Sequence, residues 1–214
     1  MDTGYFTIER EGKGEFTLSR SRFICRSKPV SVESEALAYI DEIRKELWDA
    51  THNVWAYVLG DTRERYSDDG EPRGTAGIPV LDVIRKEGVR DAVVVITRYF
   101  GGIKLGAGGL VRAYTQGAKL ALEAAGIVRR VPYLSFCVAC GYTFAEKLKR
   151  ELAARGYLLK DTEYLDNVRL SILIPQEEIG RLHALVAEHT AGQGIILAGA
   201  VEYVTVQPEK SSEK

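Results

Sequence analysis

The chain of 214 residues predicts an α+β protein of two domains, 1–131 and 132–207, with a polar, disordered tail over 208–214. Three observations lead there. Two glycine-rich motifs each run into a helix in the first half, with an apolar strand between them. Val131-Pro132 marks a boundary. Beyond it, the order strand, helix, strand, strand, helix, strand is the βαββαβ pattern of a ferredoxin-like domain.

Taken in order, residues 5–28 read as antiparallel strands. Phe6 and Ile8, Phe16 and Leu18, then Phe23 and Cys25 alternate with polar residues around Gly12 and Gly14. Arg20, Arg22 and Arg26 alternate opposite Phe23 and Cys25, so at least two share the solvent face of a strand, which is either a solvated face alone or an extension of a phosphate-binding surface. Residues 31–48 carry Ala36, Leu37, Ile40, Ile43 and Leu47 at helical spacing. A strand over 51–60 follows, entered through His52. Pro79 belongs in the first turn of a short helix through Val83 and Ile84, which Gly88 stops. Residues 91–98, Asp-Ala-Val-Val-Val-Ile-Thr-Arg, read as a strand buried on both faces. The next helix spans 110–125 and ends at Gly126. In the second half, strands at 134–141, 157–165, 168–174 and 195–206 alternate with helices at 144–155 and 176–190. Gly156, Asp166-Asn167, Pro175 and Gly192-Gln193-Gly194 punctuate them.

Composition narrows the class. With 45% hydrophobic and 28% charged residues the chain should bury a proper core. No apolar run approaches the roughly 20 residues that span a bilayer. Without a signal pattern at the N-terminus either, the expected location is cytoplasmic. Cys137 and Cys140 form a C-x-x-C, but on a strand their sulfurs face opposite sides. No second ligand pair exists, and His183 and His189 point to different helix faces, so no metal or cofactor is expected. The net charge of −1 conceals a gradient, −7 over residues 31–84 and +6 over 85–130. A globally basic nucleic-acid binder is excluded, whereas a basic face beside an acidic one is not.

The chemistry concentrates in the two motifs, Ser67-Asp-Asp-Gly-Glu-Pro-Arg-Gly-Thr-Ala-Gly77 and Arg98-Tyr-Phe-Gly-Gly-Ile-Lys-Leu-Gly-Ala-Gly-Gly-Leu-Val-Arg-Ala-Tyr114. Together they hold eight of the 21 glycines. The second is strand, glycine loop, helix, a geometry that offers backbone N–H groups and a positive helix end to an anion. It is not a phosphate-binding loop of the nucleoside-triphosphate type, because Ala107 stands where lysine is required. Nor is it a dinucleotide fingerprint, because Val111 stands where the third glycine belongs. Arg98, Lys104, Arg112 and Lys119 form the expected cationic cluster. Arg112, Gln116 and Lys119 make a polar stripe, while Leu110, Ala113, Tyr114, Ala118, Ala121, Leu122 and Ala125 pack inward. In the first motif, Asp68, Asp69 and Glu71 either hold a cation or act as acid and base. Alternatively they shape a turn, with Arg73 neutralising one of them. In a third reading the acidic loop packs against the glycine loop, with Asp68 or Glu71 beside Lys104 or Arg112.

These two motifs resemble the signature of the Impact/YigZ family, and the resemblance extends over nearly the whole chain. It implies an N-terminal sheet backed by helices, like the second domain of a small-subunit ribosomal protein and domain IV of elongation factor G. That fold includes an uncommon left-handed crossover. The C-terminal domain likewise resembles the last domain of elongation factor G. His52 matches a family histidine before its strand. Eukaryotic Impact proteins restrain a translation-controlling kinase by competing for its activator, using an additional N-terminal domain without a counterpart here. That role is not expected to carry over. Some bacterial relatives are labelled peptidases, yet no metal-ligand set or nucleophile triad supports the label here.

Two functions follow as expectations. In the first, the protein binds RNA or another phosphate backbone in a translation-related regulatory role, with RNA or ribosome-associated factors as partners. The binding residues would be His52, Arg73, Thr75, Arg98, Tyr99, Gly101, Gly102, Lys104, Gly106, Gly108, Gly109, Arg112 and Lys119. Tyr99, Phe100 and Tyr114 are stacking candidates, Phe100 being assigned to the core first. In the second, the protein is an enzyme acting on a phosphorylated ligand through Asp68, Asp69 and Glu71.

Overall fold

A computed structural model describes residues 4–207 and divides them into two compact units, built on 5–129 and 130–205. The tail expected from Pro208 lies outside the described residues.

The first unit runs β1 (Tyr5–Ile8), β2 (Gly12–Leu18), β3 (Ser21–Pro29), α1 (Glu33–Glu46), β4 (His52–Leu59), β5 (Arg63–Ser67), α2 (Gly77–Lys86), β6 (Ala92–Tyr99) and α3 (Gly106–Ala125). Five strands form one antiparallel sheet in the order β2-β3-β6-β4-β5. β3 and β4 flank β6 and both run antiparallel to it, so α1 is a crossover between two parallel strands. Strand β5 is a polar edge with no apolar alternation, and nothing in its sequence announced it.

Helices cover both faces of the sheet, which is why β6 reads as an unbroken apolar run although its neighbours are antiparallel. Val93 and Val95 pack under α1 with Tyr39, Ile40, Ile43 and Tyr57. Val94 and Ile96 pack under α2 and α3 with Phe23, Cys25, Val80, Ile84, Ala118 and Leu122. Each fully buried aliphatic side chain contributes roughly 1.5–3 kcal/mol, so both layers are needed to hold the strand. The arginines of β3 therefore do not share a solvated face. Arg26 lies under α1, where its guanidinium pairs with Glu46. Arg22 pairs with Glu15 on the neighbouring strand. Arg20 sits in the β2–β3 turn, where Ser19 and Arg20 both have positive φ, 48° and 65°. That is the two-residue hairpin geometry usually reserved for Asn and Gly.

The second unit contains β7 (Ile127–Cys140), α4 (Tyr142–Ala154), β8 (Leu158–Tyr164), β9 (Val168–Pro175), a 3-10 turn (Gln176–Glu178), α5 (Ile179–His189) and β10 (Ile195–Val206). Its strand order is β10-β7-β9-β8, the ferredoxin-like arrangement. Leu148, Leu152, Leu182 and Leu185 close one face over Val138, Cys140, Leu170 and Ile172. Cys140 is buried in that core, Cys137 is half-buried, and both are free thiols. β7 includes Pro132, one residue before its pairing with β9 begins at Tyr133.

Candidate functional site

The site lies within the first unit, where the C-terminal end of β6 meets the acidic loop and the start of α3. Alternation along β6 decides its chemistry. Arg98 shares the face of Val94 and Ile96, so its side chain is carried beneath α3 and is only 4% exposed. A buried guanidinium requires a carboxylate. Glu71 supplies it, with Arg98 Nη1 donating to Glu71 Oε1 at 2.7 Å. Tyr114, buried on the inner face of α3, donates its hydroxyl to the same oxygen at 2.7 Å. Burial, then the Glu71 charge, push the Tyr114 phenol far up, so it stays a proton donor. The two signature motifs thus meet in space through a buried Arg98–Glu71–Tyr114 cluster.

The identities differ from the expected pairing. Glu71 sits beside Arg98 rather than Arg112, and Arg73 is exposed. Asp68 turns away to close the start of α2. Its Oδ1 accepts from the N–H groups of Ala76 (3.1 Å) and Gly77 (2.8 Å), and Oδ2 from Gly74 (2.9 Å). Asp69 accepts from Arg44 Nη2 at 2.7 Å and from the Asn53 N–H at 2.6 Å. Both carboxylates are therefore engaged in holding the loop, whereas Glu71 lines the cleft. Thr75 also turns inward, donating its hydroxyl to the Pro72 carbonyl at 2.6 Å.

His52 begins β4 directly opposite Arg98 in the sheet register. Its Nδ1 lies 2.8 Å from the Asp69 carbonyl. A carbonyl only accepts, so Nδ1 donates to it, and in the neutral tautomer Nε2 is the unprotonated nitrogen. Nε2 faces Glu71 Oε2 at 3.8 Å, beyond hydrogen-bond range.

Thr51, His52, Glu71, Pro72, Arg98, Phe100, Lys104, Leu105, Gly106, Ala107 and Leu110 line a cleft of about 420 Å³. Helix α3 begins at Gly106, four residues earlier than its apolar pattern suggests, so Gly106, Gly108 and Gly109 belong to its first turn. No side chain caps that end and no acid stands in the first turn.

The glycines divide by role. A Cβ on Gly101 would lie 2.0 Å from the Arg20 carbonyl oxygen, so this glycine lets the β2–β3 hairpin approach and serves packing. Gly109 is buried against Leu105. Gly102 and Gly106 have positive φ, which accounts for them. Gly108 has neither excuse: its φ is not positive and nothing lies within 4 Å of the Cβ it lacks.

Other expected residues are dispersed. Arg112 and Lys119 leave the cleft and line a separate groove of about 510 Å³ on the outer face of α3, with Val111, Thr115, Gln116, Leu120 and Glu123. Tyr99 is half-buried and donates its hydroxyl to Asp49 at 2.9 Å. Phe100, assigned to the core from sequence, is 47% exposed. Tyr114 is fully buried and has no face for a base. Ser21 escaped notice altogether: its Oγ lies 3.3 Å from Arg98 Nη2 and from the Gly101 N–H. Among the described residues no group of three His, Cys, Asp or Glu side chains is arranged to hold a metal, and no helix is long and apolar enough to cross a membrane.

Comparison with known proteins places this geometry in a family. Residues 19–122 match the Impact N-terminal domain, and residues 138–193 match a domain of unknown function, DUF1949. The chain is 41% identical over 202 residues to the IMPACT family member YvyE of Bacillus subtilis, covering 94% of this chain and 93% of that one. It is 32% identical over 185 residues to YigZ of Escherichia coli, covering 85% and 91%. The eukaryotic likeness is confined to part of the chain: Protein IMPACT of Oryctolagus cuniculus is 30% identical over 92 residues, 41% of this chain and 29% of that protein. A crystal structure of a hypothetical protein, 29% identical, superposes with a TM-score of 0.60 over 94% of this chain and 99% of that one. With both domains matched and relatives aligned over nearly their full length, this chain belongs to the Impact family.

Proposed function

We propose that the protein binds RNA, or another phosphate-backbone ligand, through the cleft, in a translation-related role in the cytoplasm. The observation that carries the reading is the contrast between two neighbouring helix ends. The start of α2 is closed by its own carboxylate, Asp68, whereas the start of α3 has no side-chain cap and opens into the cleft beside Lys104. Free N–H groups, the positive end of a helix of 20 residues and a lysine are a fit for a phosphate. Gly108 supports it, since a glycine inside a helix costs about 0.5–1 kcal/mol and here is compensated by no packing. Arg112 and Lys119, in the separate groove along α3, offer charge to the following phosphates. Partners of this chemistry are RNA or ribosome-associated factors, consistent with the resemblance of both domains to those of elongation factor G.

The test is binding of short RNAs across a salt series, beside the Lys104→Ala/Arg112→Ala double variant. Affinity should fall steeply with salt and the variant should lose both affinity and slope. Binding indifferent to salt sinks the proposal.

One observation favours a second reading, an enzyme acting on a phosphorylated ligand. The Asp69 carbonyl holds His52 in the tautomer whose Nε2 lone pair faces the cleft beside Glu71, the posture of a general base. Turnover of a phosphomonoester or nucleotide that survives both His52→Asn and Glu71→Gln would exclude it.

A further inference from the structure

We infer that the cleft takes a single unstacked nucleotide, with its phosphate at the start of α3 and its base on Phe100. The inference rests on the proposed phosphate-binding reading and deepens it from a backbone to one nucleotide unit. The first support is Phe100 itself. Its ring is 47% exposed and lines the cleft. The Arg98 guanidinium lies over the ring, 5.4 Å from its centroid, and is itself set against Phe23 at 5.7 Å. Phe100 is thus a half-exposed ring in the cleft with a fixed cation against it. A base stacked on it would extend the series Phe23, Arg98, Phe100 by one planar layer.

The second support is the guanidinium. Arg98 is 4% exposed and lines the cleft, and Glu71 and Ser21 hold its terminal nitrogens, so the cation stands beside the ring before any ligand arrives. Third, the cavity of about 420 Å³ is near the lower end of the several hundred Å³ usual for small-molecule sites. It suits one nucleotide and is too small for two stacked ones. A base that enters must have left its own stack, so single strands are favoured over duplexes.

The experiment titrates the protein, with assigned Gly106 and Gly108 amides, against adenosine 5′-monophosphate, ribose 5-phosphate, inorganic phosphate and a short single-stranded RNA. The wild-type chain should bind the mononucleotide roughly tenfold more tightly than ribose 5-phosphate, the gain expected of one base–aromatic stack. Phe100→Ala and Phe100→Leu should erase that difference. Equal affinities for the two phosphates, or a preference that survives in both variants, would overturn the inference. Salt-sensitive RNA binding without any mononucleotide shift at Gly106 and Gly108 overturns the nucleotide pocket and leaves RNA binding standing. If neither RNA nor mononucleotide binds, both fall.

Discussion

Replacing Arg98 by methionine should cost about 3–5 kcal/mol of folding stability, the range for breaking a buried ion pair from one side. The geometry justifies the full range. The two side chains are 5% and 3% exposed, and in the variant Glu71 keeps one donor, Tyr114, with His52 too distant to help. Against a total of about 5–15 kcal/mol for a domain, that is a large fraction. The pair as a whole is another matter. An apolar pair of similar volume removes both desolvation costs, so Arg98→Met/Glu71→Leu should be more stable than the sum of its single changes by about 2 kcal/mol or more. Both tryptophans, Trp48 and Trp55, lie in the first unit, so their fluorescence during urea unfolding reports that unit alone. Midpoints should shift at unchanged slope. A loss below about 1 kcal/mol for Arg98→Met, or strict additivity in the double variant, would refute the description of a buried, mutually dependent pair.

Asp68→Ala should destabilise the same unit by about 1–2 kcal/mol, as loss of a helix cap does, without changing phosphate affinity. Urea midpoints and the phosphate titration check the two halves separately. Gly108→Ala should raise stability by about 0.5–1 kcal/mol while weakening the ligand, because alanine suits the helix and its methyl enters the approach path. Tighter binding in that variant would count against the site. Stability should also decline below pH 4.5. Hydrogen bonds from Arg26 and Arg85 hold the Glu46 and Glu64 carboxyls below the ordinary glutamate value of 4.5. A depressed folded-state value means the contribution is complete above pH 4.5 and is lost as pH falls through the lower value. Urea midpoints at pH 7, 4 and 3 check the sign, and a rise toward pH 3 would contradict it.

The legible parts of this chain were those with local signals. The βαββαβ order of the second unit was readable because Gly156, Asp166-Asn167, Pro175 and Gly192-Gln193-Gly194 stand between its elements. The inward residues of α3 were readable from their spacing, and all seven are buried. The start of α3 was not, because three glycines in its first turn look like loop to any propensity argument. Strand β5 was hidden because an exposed edge strand has no apolar face to pattern. Charge complementarity suggested that the acidic and glycine motifs meet, but the partner depended on sheet register. The clue was present in the period of β6, since Arg98 falls in step with Val94 and Ile96 and had to be buried. The partners of Asp68 and Asp69 were illegible for the opposite reason. Which of three neighbouring carboxylates faces a cleft depends on turn geometry, with Asp69 at φ 44° and Gly70 at 86°, and no periodicity announces it.

That geometry explains why so much charge is confined to so short a stretch. One turn must do three jobs with three carboxylates: Asp68 holds α2, Asp69 ties the loop to α1 and β4, and Glu71 neutralises Arg98. Once Arg98 and Glu71 cancel, the cations left along the cleft and the start of α3 are Lys104 and, one turn on, Arg112. The +6 charge of residues 85–130 therefore overstates the field at the cleft. An anion there must be held as much by backbone N–H groups as by side chains. Such a site binds locally and at short range, through glycines that keep Cβ atoms out of the way. It is suited to one phosphate at a defined place, with the looser basic track along α3 beside it.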